Sequence, residues 1–119
     1  MTPMPRIEIE TIGEIPVVRL AGEVDKSNAD ALSVELLGLL PNRGHGLVID
    51  LTEADYLDSS ALRLLFDLAT RLGRRQQSLR LVVEPDSFAA EVFAAVAIDK
   101  VATVHATADD AVEALSSPR

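Results

Sequence analysis

The residues best placed to do chemistry in this chain crowd between Asp50 and Ser60. Asp50, Glu53, Asp55 and Asp58 bring carboxylates close enough along the chain to suggest a cation site. They straddle the end of an apolar run and the loop beyond it, so solvated side chains are the plainer expectation. Asp58-Ser59-Ser60 comes next, directly ahead of a helical apolar pattern. The side-chain oxygens of Asp58 and Ser59 suit helix capping, because the first turn of a helix leaves amides without partners. Two imidazoles are available, His45 in a Gly-His-Gly loop and His105 at a strand end, and neither has metal-ligand or triad spacing. A Gly-x-Ser-x-Gly elbow is absent, and Gly44-His45-Gly46 lacks the spacing and lysine of a phosphate loop. With no cysteine there is no thiolate zinc site, disulfide or cysteine nucleophile. Neither an enzyme nor a cofactor site is expected.

These residues need a scaffold, and 119 residues suit one domain. A flexible tail is expected over residues 1–5 and the folded domain over 6–117. Ile7 and Ile9 alternate with Glu8 and Glu10 as an edge strand, Gly13 turns the chain, and Ile15 to Leu20 pairs back on it. Ala21 to Asp25 reads as a loop, and Ser27 and Asn28 suit the cap of a helix carrying Leu32, Leu36, Leu39 and Leu40. Pro41 helps end that helix. Leu47 to Leu51 is apolar almost throughout, as a parallel strand covered on both faces would be. A helix from about Ser59 to Arg75 follows, then a strand over Leu79–Glu84, a helix over Phe88–Ala97, a strand over Val101–His105 and a helix opened by Thr107. The order β-β-α-β-α-β-α-β-α implies an α/β fold: a mainly parallel sheet of about five strands, the first an antiparallel edge, with four helices packed on it.

In the helix after Ser59, Ala61, Leu62, Leu64, Leu65, Phe66, Leu68, Ala69 and Leu72 span an arc of about two hundred degrees, wider than one sheet contact needs. The surplus suits a neighbouring helix or a docking surface. Net charge is −8, which argues against nucleic acid as a partner. Residues 61–80 reverse that sign, with Arg63, Arg71, Arg74, Arg75 and Arg80 against Asp67 alone. A solvated helix face explains such a block, and so does a patch facing an acidic partner. No stretch has the length and hydrophobicity of a membrane span, so a cytoplasmic protein without membrane contact is expected.

Taken in order, Leu20-Ala21-Gly22-Glu23-Val24-Asp25, the strand Leu47–Leu51, the segment Tyr56–Leu65 and Ala97-Ile98-Asp99-Lys100-Val101 resemble the STAS family, in particular its anti-sigma factor antagonists. The resemblance implies that Ser59 is a phosphoacceptor, with Ser60 as the alternative. It also implies a partner surface containing Asp25, Asp58, Ser59, Ser60, Ala61 and Arg63. Its implied partners are an anti-sigma factor that is also a serine kinase, and a metal-dependent serine phosphatase. Unphosphorylated antagonist would hold the anti-sigma factor and free a sigma factor, and phosphate would end the contact. A non-switching scaffold or regulatory subunit of a transporter ATPase, for example in lipid transport, is the other branch of the family. The family's usual glycine is Ala61 here, whose methyl could crowd a close partner backbone. The stretch Gln76-Gln77 lacks the usual helix-ending glycine, so an irregular exit is expected. A phosphate at Ser59 should meet the positive end of the helix and free amides, so the domain should tolerate it.

Overall fold

The computed structural model describes residues 2–116. Strands β1 (Arg6–Ile12) and β2 (Ile15–Val24) form the expected hairpin, with Arg6 opposite Ala21 and Ile12 opposite Ile15. Helix α1 (Ala29–Leu37) leads to β3 (Gly46–Asp50). After β4 (Ala54–Leu57) come α2 (Ser59–Gly73), β5 (Ser78–Val82), α3 (Phe88–Ala95), a 3₁₀ turn (Ile98–Lys100), β6 (Thr103–His105) and α4 (Ala108–Ser116). The sheet runs β1-β2-β3-β5-β6, parallel except for the first pair, and β4 adds to β2.

Alternation along the strands divides the core between two faces. Val18, Leu20, Leu47, Ile49, Leu79 and Leu81 meet α1, α2 and Phe93 of α3 on one face. Ile15, Val17, Val48 and Val82 meet Ala111, Val112 and Leu115 of α4 on the other. Every residue of β3 is buried, as its unbroken apolar run predicts. Leu62 and Phe66 of α2 are partly buried against the same core, so the wide apolar arc serves packing.

Several expectations need correction. The sheet has six strands, because β4 occupies a stretch read as loop. Strand β2 runs on through Val24, so Gly22-Glu23-Val24 is strand and not loop. Helix α1 ends at Leu37, short of Pro41, and Asn28 holds its N-cap position without a side-chain cap bond. Residues 2–5 lie against the turn between β2 and α1: Pro5 is buried, and the Pro3 carbonyl accepts a bond from Asn28. The expected domain end at residue 117 lies outside the described residues.

The exit of α2 is also more regular than expected. Gln76 takes a left-handed conformation at φ 60°, its amide bonds the Gly73 carbonyl, and the Gln77 amide bonds the Leu72 carbonyl. This is a Schellman ending with glutamine where glycine is favoured. Gln76→Gly is therefore expected to raise stability by about 0.5–1 kcal/mol, seen as a higher urea midpoint at unchanged slope. A lower midpoint would contradict it.

Candidate functional site

The segment around Ser59 is held by the end of β2. Glu23 and Val24 pair with Tyr56 and Leu57 of β4 after a register shift at Gly22, and the Asp58 amide donates to the Val24 carbonyl at 3.2 Å. That pairing stops the strand at Leu57 and starts α2 two residues later. Asp58 sits at the N-cap in an extended conformation. Its Oδ1 accepts the Ser60 amide at 2.8 Å and the Ala61 amide at 3.2 Å. Its Oδ2 accepts the Lys26 amide at 3.1 Å. One carboxylate thus opens the helix and ties it to the β2–α1 turn.

That turn is built around Asp25 and Asn28. Asp25 Oδ1 accepts the Ser27 amide at 2.9 Å and its hydroxyl at 2.8 Å, and Oδ2 accepts the Thr2 hydroxyl. These bonds, Thr2's foremost and then Ser27's, hold the Asp25 carboxyl below the ordinary carboxylate range. Asn28 is buried, and its Oδ1 accepts the Asp25 amide at 3.0 Å. Its Nδ2 donates to the carbonyls of Glu23 at 2.8 Å and Pro3 at 2.9 Å. Asn28 thus ties three backbone groups from two segments, the end of β2 and the stretch ahead of β1, and its side chain is not left to cap the helix.

Ser59 is exposed as the first residue of α2, and its hydroxyl makes no hydrogen bond among the described residues. Ser60 is half-buried beside it and Arg63 is exposed one turn on. Asp25, Asp58, Ser59, Ser60 and Arg63 therefore share one surface region, with Lys26 between them. Ala61 does not belong there. It is 2% exposed and part of the main core, so its methyl points away from any docking partner. Of the free amides expected for a phosphate, those of Ser60 and Ala61 are already bonded to Asp58, and among the described residues only that of Ser59 itself has no partner in the first turn.

Asp50 is buried rather than solvated. It stands opposite Arg19 in the sheet register, 3.5 Å from its Nε, and accepts both the amide and hydroxyl of Thr52. Glu53 pairs with Arg6 at 3.5 Å and Asp55 is exposed. Asp50, Glu53 and Asp58 thus turn to different partners while Asp55 is exposed, and among the described residues no group of three His, Cys, Asp or Glu stands close enough to hold a metal. His45 is exposed in its loop, and His105 ends the strand on the opposite edge of the sheet from β1. Burial, and then the Arg80 guanidinium whose Nη1 lies 3.4 Å away, pushes the His105 imidazole below its ordinary value.

Thr2 and Lys26 are contributors that sequence reasoning missed, and Asn28, read there as a helix cap, instead holds the turn. The Asp25–Asn28 spacing carried a signal, because aspartate and asparagine side chains bond nearby backbone in turns. Removing the Asp58 carboxylate should expose how much it holds: Asp58→Ala is expected to cost about 1–2 kcal/mol by urea denaturation, with Asp58→Asn losing far less. Equal losses in the two variants would show that the cap bonds do not matter.

A mixed sheet with three helices on one face, and a serine pair at the start of the second, fits a STAS-type fold. A family profile described as "Mlab, STAS domain" matches residues 7–107, and the chain belongs to that family. A comparison with curated proteins finds no match. Among solved structures, it is similar to an anti-sigma factor antagonist from Mycobacterium paratuberculosis, with 24% identity, 95% of each chain covered and a TM-score of 0.82. A putative anti-sigma factor antagonist from Thermotoga maritima has 15% identity over 93% of this chain and 95% of that one, with a TM-score of 0.83. The anti-sigma factor antagonist SpoIIAA in its unphosphorylated form has 18% identity over 92% and 96%, with a TM-score of 0.69. These likenesses establish the shared fold. Among the described residues, no helix is long and apolar enough to cross a membrane.

Proposed function

We propose that the chain is an anti-sigma factor antagonist switched by phosphorylation of Ser59. The observation that carries this reading is the Ser59 hydroxyl, exposed at the mouth of α2 and without a hydrogen bond among the described residues. A serine serving only as a cap would bond an amide, and here Asp58 performs that task. Support also comes from the neighbours named as anti-sigma factor antagonists, which share the fold along nearly the whole chain. The unmodified surface formed by Asp25, Asp58, Ser59, Ser60 and Arg63 docks a serine-kinase anti-sigma factor, which frees the sigma factor. Phosphate on Ser59 adds about −1.5 to −2 charges beside Asp58 and Asp25, and docking would have to desolvate all of them together. A serine phosphatase restores the contact.

Incubation with the cognate kinase and ATP, followed by site-localised mass spectrometry, tests this. Label on Ser59 is expected. Label on Ser60 alone would move the switch by one residue, and label on neither would remove the regulatory reading. Capture of partners from the native cell separates the family's branches: a kinase-type ATPase is expected, and a transporter ATPase in its place would make the chain a scaffold subunit.

A further inference from the structure

Ser59 opens onto a groove of about 440 Å³ between α1 and α2, which Lys26, Asp30, Arg63 and Asp67 also line. Among the described residues neither Lys26 nor Arg63 forms an ion pair. A phosphate on Ser59 would find little help from the helix end itself. The Ser60 and Ala61 amides are already bonded to Asp58, whose carboxylate adds a like charge next door. Among the described residues that leaves only the Ser59 amide in the first turn, so most of the compensating charge comes from side chains.

We propose that Lys26 and Arg63 are positioning cations that hold the phosphate of modified Ser59 in this groove. The proposal rests on Ser59 being the modified residue. Arg63 follows Ser59 by four residues, so the two are neighbours on one face of α2. Its planar guanidinium matches two phosphate oxygens at once. Lys26 is tied to the same spot from the other side, since its amide bonds Asp58 Oδ2 at 3.1 Å. Asp30 and Asp67 lie in the groove four residues beyond Lys26 and Arg63, yet neither closes an ion pair with them among the described residues. Both cations are therefore free to turn to a phosphate. Once there, it fills the groove mouth and removes from the surface two positive charges that a partner would otherwise meet. The modified form is then stabilised by its own domain, as well as being repelled by the partner.

Phosphoserine incorporated at position 59 during synthesis tests this without any kinase. The second phosphate pKa, read by ³¹P NMR titration, is expected to lie at least about 0.5 lower in the otherwise native protein than with Lys26→Gln and Arg63→Gln together. The charge-retaining pair Lys26→Arg and Arg63→Lys is expected to keep most of that difference. Both side chains are on the surface, and matching thermal melts of the unmodified variants would show the fold intact. Identical titrations in the native and neutralised proteins would overturn the proposal. A kinase that leaves Ser59 bare would sink the switch reading without altering this titration, so the two can fail separately.

Discussion

Phosphorylation of Ser59 is expected to weaken the anti-sigma contact at least about 100-fold, or roughly 2.7 kcal/mol. The helix needs no rearrangement to produce this loss, because Asp58 supplies the cap whether or not Ser59 is modified. All of the cost falls on the complex, which must dehydrate a dianion next to two carboxylates. Ser59→Ala should bind as tightly as unmodified protein and resist the kinase. Ser59→Asp adds one charge on a shorter arm and should lose only about tenfold. Titration calorimetry with the purified anti-sigma factor measures all three. Because part of the repulsion is screened by salt, the gap between modified and unmodified forms should narrow as ionic strength rises. Equal affinity of the two forms at low salt would refute the switch.

The second large effect is on stability. Gly46→Ala is expected to cost about 3 kcal/mol or more, lowering the urea midpoint by roughly 2 M. A β-carbon at position 46 would stand 1.9 Å from the Ser78 carbonyl oxygen and 2.9 Å from its carbonyl carbon and amide nitrogen. These are backbone atoms at the first pair of the β3–β5 ladder and cannot swing aside. The φ of 152° adds a conformation that other residues rarely adopt. To make room, β3 would have to move away from β5 at a place where Leu47, Val48 and Ile49 are each 0% exposed. A loss of 3 kcal/mol is a large part of the roughly 5–15 kcal/mol that holds a domain of this kind together. A midpoint within about 0.5 M of the native protein would show that the close approach is relieved at little cost.

The elements that could be read from the sequence are those whose pattern is local. The apolar run at Leu47–Leu51 announced a strand buried on both faces, and the 3.6-residue recurrence after Ser59 announced α2. Strand β4 had no such signal, since Ala54-Asp55-Tyr56-Leu57 is short and does not alternate. It is a strand because the far end of β2 offers it a ladder, which is a long-range fact. Asp50 misled for the same reason. Its burial follows from the register that sets Arg19 opposite it, thirty-one positions earlier in the chain. Gln76 shows tertiary context overriding a local preference, with the Leu72 and Gly73 carbonyls satisfied despite a side chain at positive φ.

The candidate site divides along the same line. Asp58 and Ser59 were legible because a capping pair ahead of an apolar helix is a contiguous signal. The supporting turn was not, since Asn28 reaches back to Pro3 and Asp25 to Thr2. Arg63 was legible as part of a basic helix face, while Lys26 emerged only when α1 and α2 came together around the groove.

The anchoring of Thr2 and Pro3 has a practical consequence for anyone handling this protein. Thr2 bonds Asp25 and Ser27 and lines a hollow with Lys26 and Asp58, so a purification handle or reporter joined close to Thr2 would crowd the turn that borders the candidate site. Kinase, phosphatase and binding assays will report on the native surface when such additions are placed behind α4, on the reverse side of the sheet.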